Sequence, residues 1–171
     1  MKIAIVGYSG SGKSTLAKKL GKYYNVDVLH LDTVHHLSGW KEREIESELA
    51  IVNDFLINHS SWVVDGNYSK LYYDQLMEEA DLIIMLLFNR FNCLWRAIKR
   101  YQKYKGKTRP DMTVGCDEKI DREFVWWILH KGRTNSAKER YAKIQTQYPE
   151  KIIVLKNQKQ LDKYELSIKL K

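Results

Sequence analysis

A membrane-spanning length of apolar sequence is missing: no run approaches the roughly 18 residues needed to cross a bilayer as a helix. Cysteine is scarce, with only Cys93 and Cys116 in 171 residues. Their spacing fits neither a zinc motif nor a redox C-x-x-C, so two reduced thiols are expected. The N-terminus lacks the basic, apolar, small-residue order of a secretory leader and runs straight into a short apolar stretch. The cytoplasm is the expected compartment. No internal repeat, low-complexity tract or linker interrupts the chain, which reads as one domain over 1–171. Acidic residues are also short, 21 against 29 Lys and Arg. The net charge of +8 favours anionic partners, and nucleotide phosphates or nucleic acid would satisfy it equally.

What is present alternates. Lys2 to Val6 reads as a buried strand and Ser14 to Tyr24 as a helix, with Leu16 and Leu20 on one face. Val26 to Leu31 is a second strand closed by Asp32. Lys41 to Asn58 has the helical spacing Ile45, Leu49, Val52, Leu56. Trp62 to Asp65 is a third strand, Ser69 to Ala80 a helix, and Asp81 to Phe88 a strongly apolar fourth strand. Phe91 to Tyr104 is a basic helix expected to place Leu94 and Ile98 inside and Arg96, Lys99, Arg100 and Lys103 outside. Lys105 to Cys116 is a loop, Glu118 to Tyr148 mostly helical with a break near Gly132, Lys151 to Leu155 a last strand, and Gln158 onward a closing helix. Strands alternating with helices predict an α/β fold, a parallel sheet covered on both faces.

Residues 7 to 15, GYSGSGKST, match G-x-x-x-x-G-K-[ST] between a predicted strand and a predicted helix. Glycines let successive N–H groups turn inward, and with the helix N-terminus they form an anion cradle. Gly10, Ser11, Gly12, Lys13, Ser14 and Thr15 are therefore expected to bind the phosphates of ATP. Lys13 would reach the β- and γ-phosphates, and the Ser14 hydroxyl would ligate Mg²⁺.

In an open parallel sheet, ligands bind beyond the carboxyl ends of the strands, and two aspartates are expected there. Asp65 ends WVVD, an acid placed to support Mg²⁺, although Asp65-Gly66 also suits a plain turn. Asp32 ends VLHLD. It is a candidate to hold the substrate or take a proton from its hydroxyl, and also a candidate cap. His30, His35 and His36 lie near, with no third ligand at a convincing metal spacing.

Basic residues crowd 90–109 and again 131–143, interleaved with Tyr101, Tyr104, Trp126 and Trp127. Arginines that close over reacting phosphates are one reading, a backbone-tracking nucleic-acid surface another, and a solvated helix face the plain one. The basic loop Lys105 to Asp111 has the composition of a lid tip.

The segments GYSGSGKSTLAKKL, HLD, GW at 39–40, WVVDGNY at 62–68, CLWR at 93–96 and KGKTRPDM at 105–112 together resemble one family. It is the bacterial P-loop "DNA topology modulation protein" or FlaR-like family, a branch of the adenylate kinase and shikimate kinase group. The resemblance implies a five-stranded parallel sheet in the order 2-3-1-4-5, a substrate-binding section around 33–60 and a lid around 100–135. It also implies that the loop Lys156-Asn157-Gln158 cups the adenine, with Asn157 in contact. The chain departs from the better-known relatives at Asp65-Gly66-Asn67-Tyr68. Adenylate kinases carry a Gly-Phe-Pro-Arg-type turn there and shikimate kinases a Gly-Gly-Gly turn, so AMP is not implied as acceptor.

The expected function is a phosphotransferase using ATP and Mg²⁺ on a nucleotide, nucleoside or small hydroxylated acceptor, acting as a monomer or homodimer. Lys13, Asp32, Arg96, Arg100 and Arg109 are its expected catalytic groups. A nucleotide-dependent DNA- or RNA-binding regulator and a slow ATPase switch are the alternatives. No helix-turn-helix or zinc-finger pattern is present to read DNA.

Overall fold

The computed structural model describes residues 1–169. Its elements are β1 (Lys2–Gly7), α1 (Lys13–Tyr24), β2 (Asp27–His30), α2 (Leu31–His35), β3 (His36–Leu37), β4 (Lys41–Glu42), α3 (Ile45–Asn58), β5 (Trp62–Asp65), α4 (Tyr73–Glu79), β6 (Leu82–Leu86), α5 (Arg90–Tyr104), α6 (Arg122–Leu129), α7 (Asn135–Gln147), β7 (Ile152–Leu155) and α8 (Gln158–Lys169). The main sheet is parallel, with five strands in the order β2-β5-β1-β6-β7. Counting its strands along the chain gives 2-3-1-4-5, the order expected. The short β3 and β4 form a separate antiparallel pair.

Alternation along each strand divides the core into two layers. Ala4, Val6, Trp62, Val64, Ile83 and Met85 face one side, where Leu31, Val34, Val52, Leu76, Tyr141 and Ile144 cover them. Ile3, Ile5, Val63, Ile84 and Leu86 face the other, beneath Leu16, Leu20, Cys93, Ala97, Ile128 and Leu161. The first group of covering residues comes from α2, α3, α4 and α7, the second from α1, α5, α6 and α8.

Several boundaries differ from the sequence reading. The helix expected from Lys41 begins at Ile45, because Lys41 and Glu42 pair with Leu37 and His36 in the β3–β4 ribbon. The helix expected from Ser69 begins at Tyr73, after Tyr72 takes a left-handed conformation with φ 50°. Asp32 does not close a strand; β2 stops at His30 and Asp32 sits in the first turn of α2.

The largest difference is on α5. Its fully buried positions are Cys93 and Ala97, not Leu94 and Ile98. That rotation turns Arg96 and Arg100 partly inward instead of outward. In the loop expected as a lid tip, Lys105 to Asp111, residues 105–107 are exposed, and packing sets in from Arg109 onward. Arg109, Met112, Cys116 and Glu118 are all buried. Gly39 N donates to Gly115 O at 3.1 Å, and Thr113 Oγ1 donates to His36 O at 2.6 Å, which ties the segment to the β3–β4 region.

Among the described residues, no helix is long and apolar enough to cross a membrane. Ile84 lies wholly buried in β6 between β1 and β7. An Ile84→Ala variant is expected to lose about 2–5 kcal/mol of stability, seen as a lower urea midpoint at unchanged slope. A loss below about 1 kcal/mol would contradict this packing.

Candidate active site

The phosphate loop joins β1 to α1. Gly10 and Gly12 hold φ of 78° and 100°, a region other residues rarely adopt. Both are also crowded: a Cβ at Gly10 would stand 2.5 Å from Cys93 O, and one at Gly12 would stand 2.4 Å from an Arg96 guanidinium nitrogen. The loop therefore lies directly against α5. Side chains cap α5, α6 and α7, where Asn89, Asp121 and Thr134 accept from Asn92 N, Phe124 N and Ala137 N. The α1 N-terminus has no side-chain cap, so its first N–H groups are free to meet an anion. The geometry fits a phosphate group.

Lys13 Nζ donates to Gly7 O at 3.0 Å and Tyr8 O at 3.2 Å, which aims the ammonium along the loop. Burial lowers its pKa below the ordinary lysine value, and the charges of Asp32 and Asp65 partly oppose this. Both expected acids thus act electrostatically on Lys13.

Ser14 Oγ donates to Asp65 Oδ2 at 2.9 Å. Asp65 is 3% exposed, and its other carboxylate oxygen meets His30 Nδ1. That contact follows from the sheet, because His30 and Asp65 are register partners on β2 and β5. A hydroxyl and a carboxylate in contact beside a phosphate loop are hard oxygen donors of the kind Mg²⁺ takes, so the donor set fits the ion. Asp32 Oδ1 accepts from Tyr68 Oη at 2.7 Å. Burial first, and then the neighbouring Asp32 carboxylate, push the Tyr68 phenol well above its ordinary pKa. Tyr68 therefore stays a donor at any physiological pH.

The three expected arginines differ in setting. Arg96 lies over Gly12 and over the Phe88 ring, and donates to Gln158 Oε1 at the start of α8, so the expected loop Lys156-Asn157-Gln158 ends one residue earlier. Arg100 Nε donates to Glu118 at 2.7 Å, and Arg109 Nε lies 2.7 Å from the other oxygen of the same carboxylate. Arg109 also pairs with Asp111 at 2.9 Å, and Asp111 with Lys18 of α1 at 3.0 Å. Arg109 is thus a buried member of a chain of ion pairs. Asn157 Oδ1 accepts from Gln160 N and caps the first turn of α8.

Sequence reasoning did not assign several residues that the fold brings to this place. Arg133 lies 3.7 Å from the centre of the Tyr8 ring and donates to Phe88 O. Trp127 Nε1 donates to Ser9 Oγ at 3.2 Å, so α6 and the turn after it sit on the loop. His30, Tyr68 and Glu118 also went unassigned. Tyr68 had a visible signal in the unusual Asp65-Gly66-Asn67-Tyr68 turn, while His30 was weighed only as a metal ligand and Trp127 only as a stacking aromatic.

A cleft of about 520 Å³ opens between the α2–α3 region and the α6–α7 turn, and its wall residue Trp127 also reaches Ser9 of the loop. His35, Glu48, Tyr68, Asn67, Trp127 and Arg140 are among its walls. At its side the buried Glu48 accepts from His35 Nδ1 at 2.7 Å. The volume falls within the roughly 300–1,000 Å³ of small-molecule pockets.

No protein-family model matches the chain. Among curated proteins it is 31% identical over 87 residues to the ATP-dependent lipid A-core flippase of Vibrio cholerae, and 32% identical over 87 residues to that of Photorhabdus laumondii. Each match takes in 46% of this chain and spans only 15% of the curated relative's length.

Likeness to solved structures runs the whole length. The chain resembles deoxyadenosine kinase from M. mycoides (TM-score 0.52, 15% identity, 100% of both chains). It also resembles shikimate kinase from Bacteroides thetaiotaomicron (TM-score 0.52, 18% identity, 99% of this chain and 95% of that one). TT1252 from Thermus thermophilus is similar too (TM-score 0.57, 15% identity, 99% and 95%). The fold is that of the P-loop kinases, an α/β architecture on a five-stranded parallel sheet.

The ion-pair chain has a pH signature. Burial alone would raise the Asp111 carboxyl, but Arg109 and then Lys18 outweigh it and hold the group below the usual carboxylate value. Its contribution to stability is full above the unfolded value of about 3.9 and is lost as pH falls through the lower folded value. Asp111→Asn should therefore flatten the stability profile below about pH 4 and leave Arg109 short of a partner at neutral pH. Denaturation midpoints across pH 2–7 check it; parallel wild-type and variant profiles would contradict the assignment.

Proposed function

We propose that the chain is an ATP- and Mg²⁺-dependent kinase that moves the γ-phosphate to a small hydroxylated acceptor, a nucleotide, nucleoside or other metabolite. The observation that carries this reading is the position of Asp32. Tyr68 ties it to the wall of the cleft, while its charge acts on Lys13 in the phosphate loop. A carboxylate at that junction can face an acceptor hydroxyl on one side and the phosphates on the other.

In this reading the N–H groups of residues 10–15 cradle the phosphates and Lys13 neutralises charge on them. Ser14 and Asp65 hold Mg²⁺, which supplies charge neutralisation at the transferring phosphoryl group. Asp32 accepts the acceptor's proton as its oxygen bonds to the γ-phosphorus and ADP leaves. Arg96 and Arg100, turned inward on α5, stabilise the developing charge. Arg109 acts through Glu118, the carboxylate it shares with Arg100. Asn157 and its loop border the base, linked to the phosphate loop through Gln158 and Arg96. The DGNY, CLWR and TRPD segments support membership of the DNA topology modulation family, one domain over 1–171 with its acceptor section around 33–60 and its lid around 100–135.

Lys13→Ala should abolish acceptor-dependent ADP formation, and Asp32→Asn should lower kcat by about 10²–10⁴. Both are read by a coupled ADP assay across nucleosides, nucleotides and sugar metabolites, in which full activity of Lys13→Ala would sink the mechanism. A slow ATPase switch would instead show hydrolysis that no acceptor accelerates.

One surface feature favours a second reading, a nucleotide-dependent nucleic-acid binder. Phe91 and Trp95 are exposed one turn apart on α5, and the Lys99 ammonium lies 5.0 Å from the Trp95 ring centre. Stacking aromatics beside cations suit single strands. Binding to single-stranded DNA should then weaken steeply with salt and with Trp95→Ala, while a salt slope near zero would remove this reading.

A further inference from the structure

We infer that the acceptor carries an anionic group of its own, a phosphate or a carboxylate, which the cleft holds with Arg43 and Arg140. The inference rests on the kinase reading and narrows its substrate. The cleft walls include four cations, Arg43, Lys70, Lys131 and Arg140, against two carboxylates, Glu42 and Glu48. Of the carboxylates, Glu48 is hydrogen-bonded to His35 Nδ1 at 2.7 Å, and Glu42 is largely exposed at the rim, 3.7 Å from His35 Nε2. Among the described residues, none of the four cations makes an ion pair.

Like charges gathered around one concavity repel each other and focus a positive potential into it. Two of them are also oriented. Arg43 Nε donates to Val34 O at 2.7 Å, which fixes the fork and leaves its terminal nitrogens uncommitted. The Arg140 guanidinium lies 5.8 Å from the centre of the buried Tyr73 ring. A planar fork held in place matches the oxygens of a carboxylate or phosphate better than a loose ammonium does.

Asn67 on the same wall is committed to the fold, its Nδ2 donating to Tyr141 Oη at 2.9 Å.

The test uses matched acceptors: a nucleoside against its 5′-monophosphate, and a sugar alcohol against the sugar acid of equal length. The nucleotide arm and the sugar-acid arm separate a phosphate from a carboxylate. KM for the preferred anionic member should be at least about tenfold lower than for its neutral partner. Arg140→Gln should raise that KM about tenfold with little change in kcat or in KM for ATP, and Arg140→Lys should restore part of it. Equal KM values within both pairs, or an Arg140→Gln variant that affects neutral and anionic members alike, would overturn the inference.

If no acceptor speeds ADP formation, the kinase reading fails and the subsite is judged separately. Inorganic phosphate and the nucleoside monophosphate are then titrated calorimetrically into protein saturated with ADP and Mg²⁺, which fills the phosphate loop. Binding that Arg140→Gln weakens about tenfold sustains the anion site; no binding, or binding the variant leaves unchanged, removes it.

Discussion

A single buried carboxylate organises the functional end of this molecule. Asp65 is almost wholly removed from water, and a charge in that position needs donors around it. Ser14 supplies one from the first turn of α1, and His30 the other from the end of β2. The contact therefore joins three elements that are far apart in the chain. It requires β2 and β5 to pair in the register that sets His30 opposite Asp65. It also requires the phosphate loop to end where Ser14 can reach across. Registry of the sheet and placement of the loop are thus two expressions of one electrostatic demand.

A second carboxylate does the same for the opposite wall. Glu118 receives Arg100 from α5 and Arg109 from the 105–118 segment, and the network continues through Asp111 to Lys18 on α1. This segment also reaches the β3–β4 region through Gly115, Thr113 and Cys116. It is a strap between the helix that follows the phosphate loop and the section that forms one side of the cleft. The α6–α7 turn sits differently, with Trp127 and Arg133 resting on Ser9 and Tyr8 of the loop itself.

Much of the architecture was legible because it rests on local signals. A glycine-rich loop between an apolar run and a helical pattern identifies Gly7 to Thr15 and the strand before it. Alternation of strand and helix gives the parallel sheet, and the resemblance to a known family gives its order. The facing of α5 was not legible, for a physical reason. Periodicity registers hydrophobic residues, and the side of α5 that turns inward holds the small Cys93 and Ala97 beside two arginines. An arginine facing a phosphate site looks, in sequence, like one facing solvent.

Asp32 was placed at a strand end, because one turn of helix at Leu31–His35 is too short to leave a periodic trace. His30, Tyr68 and Glu118 matter through partners that lie 35, 36 and 18 residues away in the chain. Such pairings arise from the tertiary fold, and no window of sequence contains them.

The order of the sheet has a consequence for how the chain is made. β1 comes early, yet both its neighbours in the sheet follow much later in the chain. Lys2 aligns with Trp62 and Ile3 with Leu82. Until β6 has been synthesised, the stretch Ile3–Val6 has no strand on one of its edges. An unpaired β-rich run of this kind invites intermolecular association. The glycines that follow it, and the charged Lys2 before it, flank the segment as gatekeepers do. The strand that anchors the phosphate loop is thus also the nascent chain's most exposed liability, and the wait for β5 and β6 is a kinetic cost of building a binding loop on the central strand.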